Sequence, residues 1–376
     1  MFQRLVLRNF RNYTEAEVRF GPQVNIILGR NGEGKTNLLE ALVLLCSGES
    51  FRFGENETFV RKGTDQAWLA AYASENDLGY DLKLQILKSR KHHQLNGKRV
   101  SSSDLLPLFH FVIFSPESLA SIKEGADQRR QLVDELLVSV DKKNAVLVKD
   151  FRRVLKTRNR MLKDYAESKQ TRAQTEALLE SVGPSFFRLA TELTVARLKA
   201  LESLMADFNT AMQKISQSAK AARIQYEISG NKVIHFTHQD IHILLEKRAL
   251  ELHEAELGSG TSLVGPQKHD IIFLYDENDS RFFCSQGQQR ALILSFKMAQ
   301  IVYHRRVHGA HPILLLDDVL SELDEEKREA LISFLQEIRT QIFMTTTDLK
   351  LTGDLAKHNC LVIEIVDGST ITKGHA

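Results

Sequence analysis

Cysteine, aromatic residues and net charge are all scarce in this chain, and each scarcity removes a class of protein. Three cysteines, Cys46, Cys284 and Cys360, make neither an even disulfide framework nor a closely spaced metal pair, which excludes a disulfide-stapled scaffold and fits a reducing cytoplasm. No apolar run approaches the ~20 residues that cross a bilayer. Met1-Phe2-Gln3-Arg4 leads straight into a strand pattern, without the regions of a signal peptide. A cytoplasmic protein outside the membrane is expected. The net charge is only +2, so any nucleic-acid face must be a local patch. Aromatics are 7% of the chain and mostly Phe, leaving no obvious stacking platform for single strands. Glycine and proline nearly vanish between Glu117 and Gly183-Pro184, which favours long helices there. No repeat or low-complexity tract is present. The 376 residues are enough for two or three domains, and 43% hydrophobic content supports a sizeable core.

What is present begins with Gly29-Arg30-Asn31-Gly32-Glu33-Gly34-Lys35-Thr36, a complete phosphate-binding loop. It follows the apolar run Val24–Leu28 and precedes Asn37–Leu45, which reads as a helix. Strand, glycine loop and helix are the context the motif needs. Backbone N–H groups of the loop converge on phosphate oxygens at a positive helix end. Lys35 is placed to reach the β- and γ-phosphates, and the Thr36 hydroxyl to meet Mg²⁺. The acidic half of the site comes much later, in Ile313-Leu314-Leu315-Leu316-Asp317-Asp318. An apolar strand ending in a carboxylate is well placed to hold Mg²⁺. Asp317 is the expected metal contact, direct or through water. Asp318 is the expected general base, or the group that polarises the attacking water.

Between the two halves the pattern changes. Tyr80, Leu82, Leu84 and Ile86 alternate as in a strand, and Asn96-Gly97 signals a hairpin. Leu132, Leu136 and Val140 then fall on one helical face. Gly183-Pro184 is expected to break the helical run, which resumes over 185–215, and two long helices are expected as an antiparallel pair. The expected organisation is an N-terminal ATPase half, 1–117, an inserted helical lobe, 118–220, and a C-terminal ATPase half, 221–376.

Phe282-Phe283-Cys284-Ser285-Gln286-Gly287-Gln288-Gln289-Arg290 precedes an apolar helix to about Tyr303; Ser321-Glu322-Leu323-Asp324 and Gln341–Asp348 follow the acids. This order resembles the ABC-type ATPase head, an α/β P-loop fold with mixed sheets, here carrying the helical lobe. Ser285, Gly287 and Gln288 match that family's signature. Within it the chain resembles the RecF family, the bacterial DNA-repair members of the SMC-like branch. The resemblance rests on Leu7-Arg8-Asn9-Phe10-Arg11-Asn12-Tyr13, the phosphate loop through Asn37, Ser50-Phe51-Arg52, Phe114-Ser115-Pro116-Glu117, Gly265-Pro266 followed by Asp270, and the signature through Arg290. It covers essentially the whole chain. Gln286 replaces the glycine of transporter ATPases, Asp318 stands where many ABC proteins have glutamate, Thr347 occupies a position often held by histidine, and Gln267-Lys268-His269 is less typical of RecF.

The resemblance implies a nucleotide site built from Arg11, Asn12, Gly29, Arg30, Asn31, Gly32, Glu33, Gly34, Lys35, Thr36 and Asn37. It is completed by Ser285, Gly287 and Gln288 of a second copy, so that ATP bridges a homodimer. Lys35, Asp318 and Ser285 would act in catalysis, with Thr36 and Asp317 on Mg²⁺. It further implies slow, DNA-stimulated hydrolysis, binding to duplex DNA near single-strand junctions, RecR as a direct partner with RecO in the same pathway, and help in loading RecA onto strands covered by single-strand-binding protein. Two basic stretches could meet DNA phosphates: Lys83, Lys88, Arg90, Lys91, Lys98 and Arg99 with His92 and His93, and Lys149, Arg152, Arg153, Lys156, Arg158, Arg160 and Lys163. Either could equally be a solvated face. A transporter ATPase subunit, an SMC-like defence ATPase and a non-hydrolysing DNA-bridging protein are the competing readings.

Overall fold

The computed structural model describes the chain except for Phe53, 76–77, 106–107, 217–219, 234–236, 358–359, 367–368 and Ala376. Two compact units emerge, the first from Met1–Leu119, Ala211–Ser218 and Gln286–Ala376, the second from Ala120–Thr210 and Ala219–Ser285.

The first unit holds two six-stranded sheets with a helix between them. One sheet is antiparallel, in the order Tyr13–Arg19, Phe2–Phe10, Gln66–Glu75, Leu78–Leu87, Lys91–Leu95, Lys98–Val100. Leu82, Leu84 and Ile86 point into the core, as their alternation predicts. Asn96 and Gly97 both take positive φ, the conformation that a two-residue hairpin turn demands. The other sheet carries the nucleotide motifs. Its order is Ser369–His375, Cys360–Val366, Val24–Leu28, Ile342–Thr346, Ile313–Leu316, Phe111–Phe114, and all neighbours are parallel except the first pair. Val24–Leu28 is a short, almost wholly buried run, the composition of a strand covered on both faces.

The helix Lys35–Ser47 follows the phosphate loop. Leu38, Leu39, Ala41, Leu42, Leu44, Leu45 and Cys46 are all fully buried, and they join one core with residues of both sheets. A helix buried on nearly every side is the consequence of lying between two sheets. It stops at Gly48, whose positive φ closes the last turn with a bond from its N–H to the Leu44 carbonyl.

The second unit contains the helices Ala126–Val140, Lys142–Ala166 and His238–Ser259, most of the helix Arg172–Ser216, and a small antiparallel sheet in the order Asn231–Lys232, Ala222–Ile228, Asp270–Tyr275, Asn278–Asp279. It is larger than the expected lobe, because Ala219–Ser285 clusters with these helices and not with the ATPase half. The buried Arg158–Glu256 ion pair, 2.7 Å, is one tie between the two stretches. The expected break at Gly183-Pro184 does not occur. Arg172–Ser216 is one helix with Pro184 inside it. Proline removes one backbone bond and crowds the preceding turn, but buried Phe186, Ala190 and Leu193 anchor the helix just beyond it. The chain turns back over 167–171, bringing Phe151 against Phe186 with ring centroids 5.9 Å apart, so the two long helices are antiparallel.

Candidate nucleotide site

The phosphate loop is shaped from behind by the first strand pair. Gly34 has φ 110° and a Cβ added there would lie 2.5 Å from Asn12 Nδ2, so only glycine fits. Asn12 earns that proximity: its Nδ2 donates to the Glu33 carbonyl at 2.8 Å and its Oδ1 accepts from Asn37 at 2.8 Å. The Tyr13 hydroxyl donates to the Gly34 carbonyl at 2.9 Å. Arg11, expected at the nucleotide, makes two bonds of 2.9 and 2.8 Å to Glu40. Glu40 is fully buried on the phosphate-loop helix and also accepts from the Ser50 hydroxyl at 2.6 Å. Sequence reasoning assigned no role to Glu40, although an acid inside Leu38-Leu39-Glu40-Ala41-Leu42 is itself a signal, because a buried carboxylate needs a partner.

Lys35 folds back across its own loop, with Nζ 2.9 Å from the Gly29 carbonyl and 3.1 Å from that of Arg30. An ammonium held by loop carbonyls is poised for an anion placed in the loop. The Arg30 N–H donates to Glu33 Oε2 at 2.6 Å.

The two halves of the motif meet. Thr36 Oγ donates to Asp317 Oδ1 at 2.8 Å across 281 positions of sequence. Thr345, on the strand between them, donates to the same oxygen at 2.9 Å and accepts from the Asp318 N–H at 2.8 Å. Burial pushes the Asp317 carboxyl above the ordinary carboxylate range, against the two hydroxyl bonds; nearby Glu117 adds to the rise and Arg52 opposes it. Glu117 and Arg52 thus belong to the electrostatics of the site, although the sequence singled them out only as family features. Asp318 is in the left-handed region at φ 51°, which turns the chain sharply after the strand. Its carbonyl accepts from the Ser321 hydroxyl at 2.7 Å. Arg290 of the helix Gln286–His308 reaches Glu322 with an ion pair of 2.5 Å. Ser285 and Gln288 are exposed, Gly287 is half-buried, and Phe282 and Phe283 beside them are 76% and 72% exposed.

Residues 1–368 match the family described as RecF/RecN/SMC N terminal domain. The chain is 31% identical over 347 residues to the DNA replication and repair protein RecF of Lacticaseibacillus paracasei, covering 92% of each. It is 34% identical over 364 residues to RecF of Geobacter metallireducens, covering 94% of this chain and 95% of that one. The chain belongs to the RecF family. A solved structure of the recombination mediator protein RecF with ATPrS, in the RecFOR pathway, superposes with a TM-score of 0.86 at 28% identity, over 100% of this chain and 98% of that one. The Smc head domain of Pyrococcus furiosus superposes with a TM-score of 0.56 at 17% identity over 99% of this chain and 95% of that one. This RecF-family chain therefore has the SMC-like, ABC-type ATPase head fold.

The basic stretches of this RecF-family member divide into buried and exposed side chains. Arg158 does not face solvent: it is buried, bonded to Glu256 at 3.0 and 2.7 Å and to Ser262 at 2.5 Å. Lys91 and His93 of the hairpin also turn inward, Lys91 donating to the Gly48 carbonyl at 2.7 Å while burial lowers its pKa. Arg153 and Arg160 remain 83% and 84% exposed in their side chains. Of the atypical Gln267-Lys268-His269, His269 is structural. It is buried, with Nδ1 2.9 Å from the Tyr226 hydroxyl, and burial reinforced by Arg197 and Arg130 lowers its pKa to about 3. Among the described residues no helix is long and apolar enough to cross a membrane.

Proposed function

We propose that this RecF-family chain is an ATP-gated DNA-binding protein of recombinational repair. One observation carries the reading. The phosphate loop and Asp317 are joined within one chain by the Thr36 bond, while Ser285 and Gln288 stand exposed and half-buried Gly287 lies between them, open to a second copy. Thr36 and Asp317 offer hard oxygen donors, which suit Mg²⁺. A bound Mg²⁺ would supply positive charge against the nucleotide phosphates. Lys35 then leaves the loop carbonyls for the phosphates, and Asp318 orients the attacking water. Asp318 is one methylene shorter than glutamate, so hydrolysis is slow and the nucleotide acts chiefly as a timer for the homodimer. A contact present with ATP and lost after hydrolysis supplies the difference in binding that a switch requires. Duplex DNA beside gaps is the ligand of the closed dimer, and RecR, with RecO in the same pathway, links it to RecA loading.

Sedimentation with and without ATP and a gapped duplex tests this reading. The wild type shifts from monomer to dimer on ATP and then takes up DNA. Lys35→Ala loses nucleotide binding. Ser285→Ala binds ATP but does not dimerise. An oligomer indifferent to ATP, or no DNA uptake in any nucleotide state, refutes the proposal.

A further inference from the structure

The edge of the parallel sheet opposite the phosphate loop holds a second cluster of functional side chains. Strands run from this edge toward the nucleotide, and an open cleft of about 1660 Å³ lies against their beginnings, lined by Val24, Ile313, Ile342, His110, His304 and His308 among others. His110 directly precedes the strand Phe111–Phe114. His304 and His308 lie one turn apart at the end of the helix Gln286–His308, so both project toward the same side. Their ring centroids are 4.4 Å apart, and each lies 4.8 Å from that of His110. One ring nitrogen from each can be chosen so that all three lie within 4.8 Å of one another.

His304 shows what the cluster is for. Its Nδ1 is 3.0 Å from the Ala310 carbonyl, so that nitrogen carries the proton and Nε2 keeps its lone pair. Nε2 is buried and has no hydrogen-bond partner. A buried acceptor facing no donor is costly, and fixing one imidazole nitrogen on a backbone carbonyl is how proteins orient the other toward a metal. The helix end adds its negative dipole.

We propose that His110, His304 and His308 form a binding site for a divalent metal of the zinc class, with its fourth position open to the cleft. Three imidazoles suit zinc, cobalt, nickel or copper and reject Mg²⁺, so the site does not compete with the nucleotide ion. Small side-chain movements bring three nitrogens to the ~2.0–2.1 Å ligand distance. The bound ion clamps the last turn of the helix Gln286–His308 to the edge strand Phe111–Phe114.

The test uses the full chain without an affinity tag, stripped with a chelator and returned to metal-free buffer containing millimolar Mg²⁺. Cobalt is added first, followed by zinc in competition with a chromophoric chelator. The wild type gives a tetrahedral cobalt absorption band at one equivalent, displaced by zinc, and zinc raises its Tm. His308→Ala, at an exposed position, weakens zinc by at least about tenfold and loses the cobalt band; His110→Ala does the same. His238→Ala, outside the cluster, leaves both unchanged. A wild type without the cobalt band, or zinc affinity equal in His308→Ala and His238→Ala, overturns the site.

Discussion

Burial disfavours a second proton on the imidazole of His269. The ring is buried, and the guanidinium groups of Arg197 and Arg130 face it. Its folded pKa of about 3 lies below the ordinary histidine value of 6.5. For a histidine with a depressed folded pKa, the stability it confers is present above 6.5 and is lost as pH falls, because the unfolded chain takes up the proton first. Between pH 6.5 and 5 this single group removes about 2 kcal/mol, at ~1.4 kcal/mol per pH unit. Urea unfolding of the wild type and His269→Gln at several pH values reads the difference. Curves that stay parallel across that window would refute the assignment. Individual residues were unevenly legible. Lys35, Thr36 and Asp317 stood out because their spacing is dictated by phosphate and metal chemistry. Glu40, Thr345 and the latch made by Asn12 did not, because their meaning comes from partners that the fold supplies. Arg158 misled for the same reason: charge in a sequence does not tell a solvated arginine from one paired with a buried glutamate.

The helix Arg172–Ser216 carries an exposed Pro184 in its interior. Substitution to alanine restores the bond to the Glu180 carbonyl and disturbs no buried contact at the site. Pro184→Ala is expected to stabilise the protein by about 1–3 kcal/mol, part of the full penalty being offset by greater freedom in the unfolded chain. A shift of the urea midpoint to higher concentration, with unchanged slope, checks it; a shift downward would mean that the proline fits a bend the helix needs. The helical period through 118–215 was readable in advance, since leucines recur on one face. The break was misread because proline is a local signal, and packing of Phe186, Ala190 and Leu193 overrides it. The strands were readable from alternation and from Asn96-Gly97. The placing of Ala219–Ser285 with the helices was not, because pairing of Ala222–Ile228 with Asp270–Tyr275 joins segments more than forty positions apart.

For the molecule as a whole, a net charge of +2 gives little long-range attraction to DNA, so affinity must come from a patch. Arg153 and Arg160 are seven positions apart on one helix face. Arg153 pairs with Asp150 at 3.9 Å and Arg160 with Asp164 at 3.7 Å, surface pairs of small worth. If this face meets phosphate, Arg153→Glu with Arg160→Glu weakens duplex binding for every sequence and lowers the salt slope of log K by about two. An unchanged slope in fluorescence anisotropy moves the DNA face elsewhere. The strand order also bears on how the protein comes into being. Val24–Leu28, which ends in the phosphate loop, is flanked on both sides by Ile342–Thr346 and Cys360–Val366. At ~5–20 residues per second of synthesis, roughly 15–60 s separate the first of these strands from its neighbours. Throughout that interval the loop hangs from an apolar strand with both edges unpaired, so a nascent chain cannot present a finished phosphate site. Nucleotide binding is thereby reserved for chains in which Ile342–Thr346 and Cys360–Val366 have both been made.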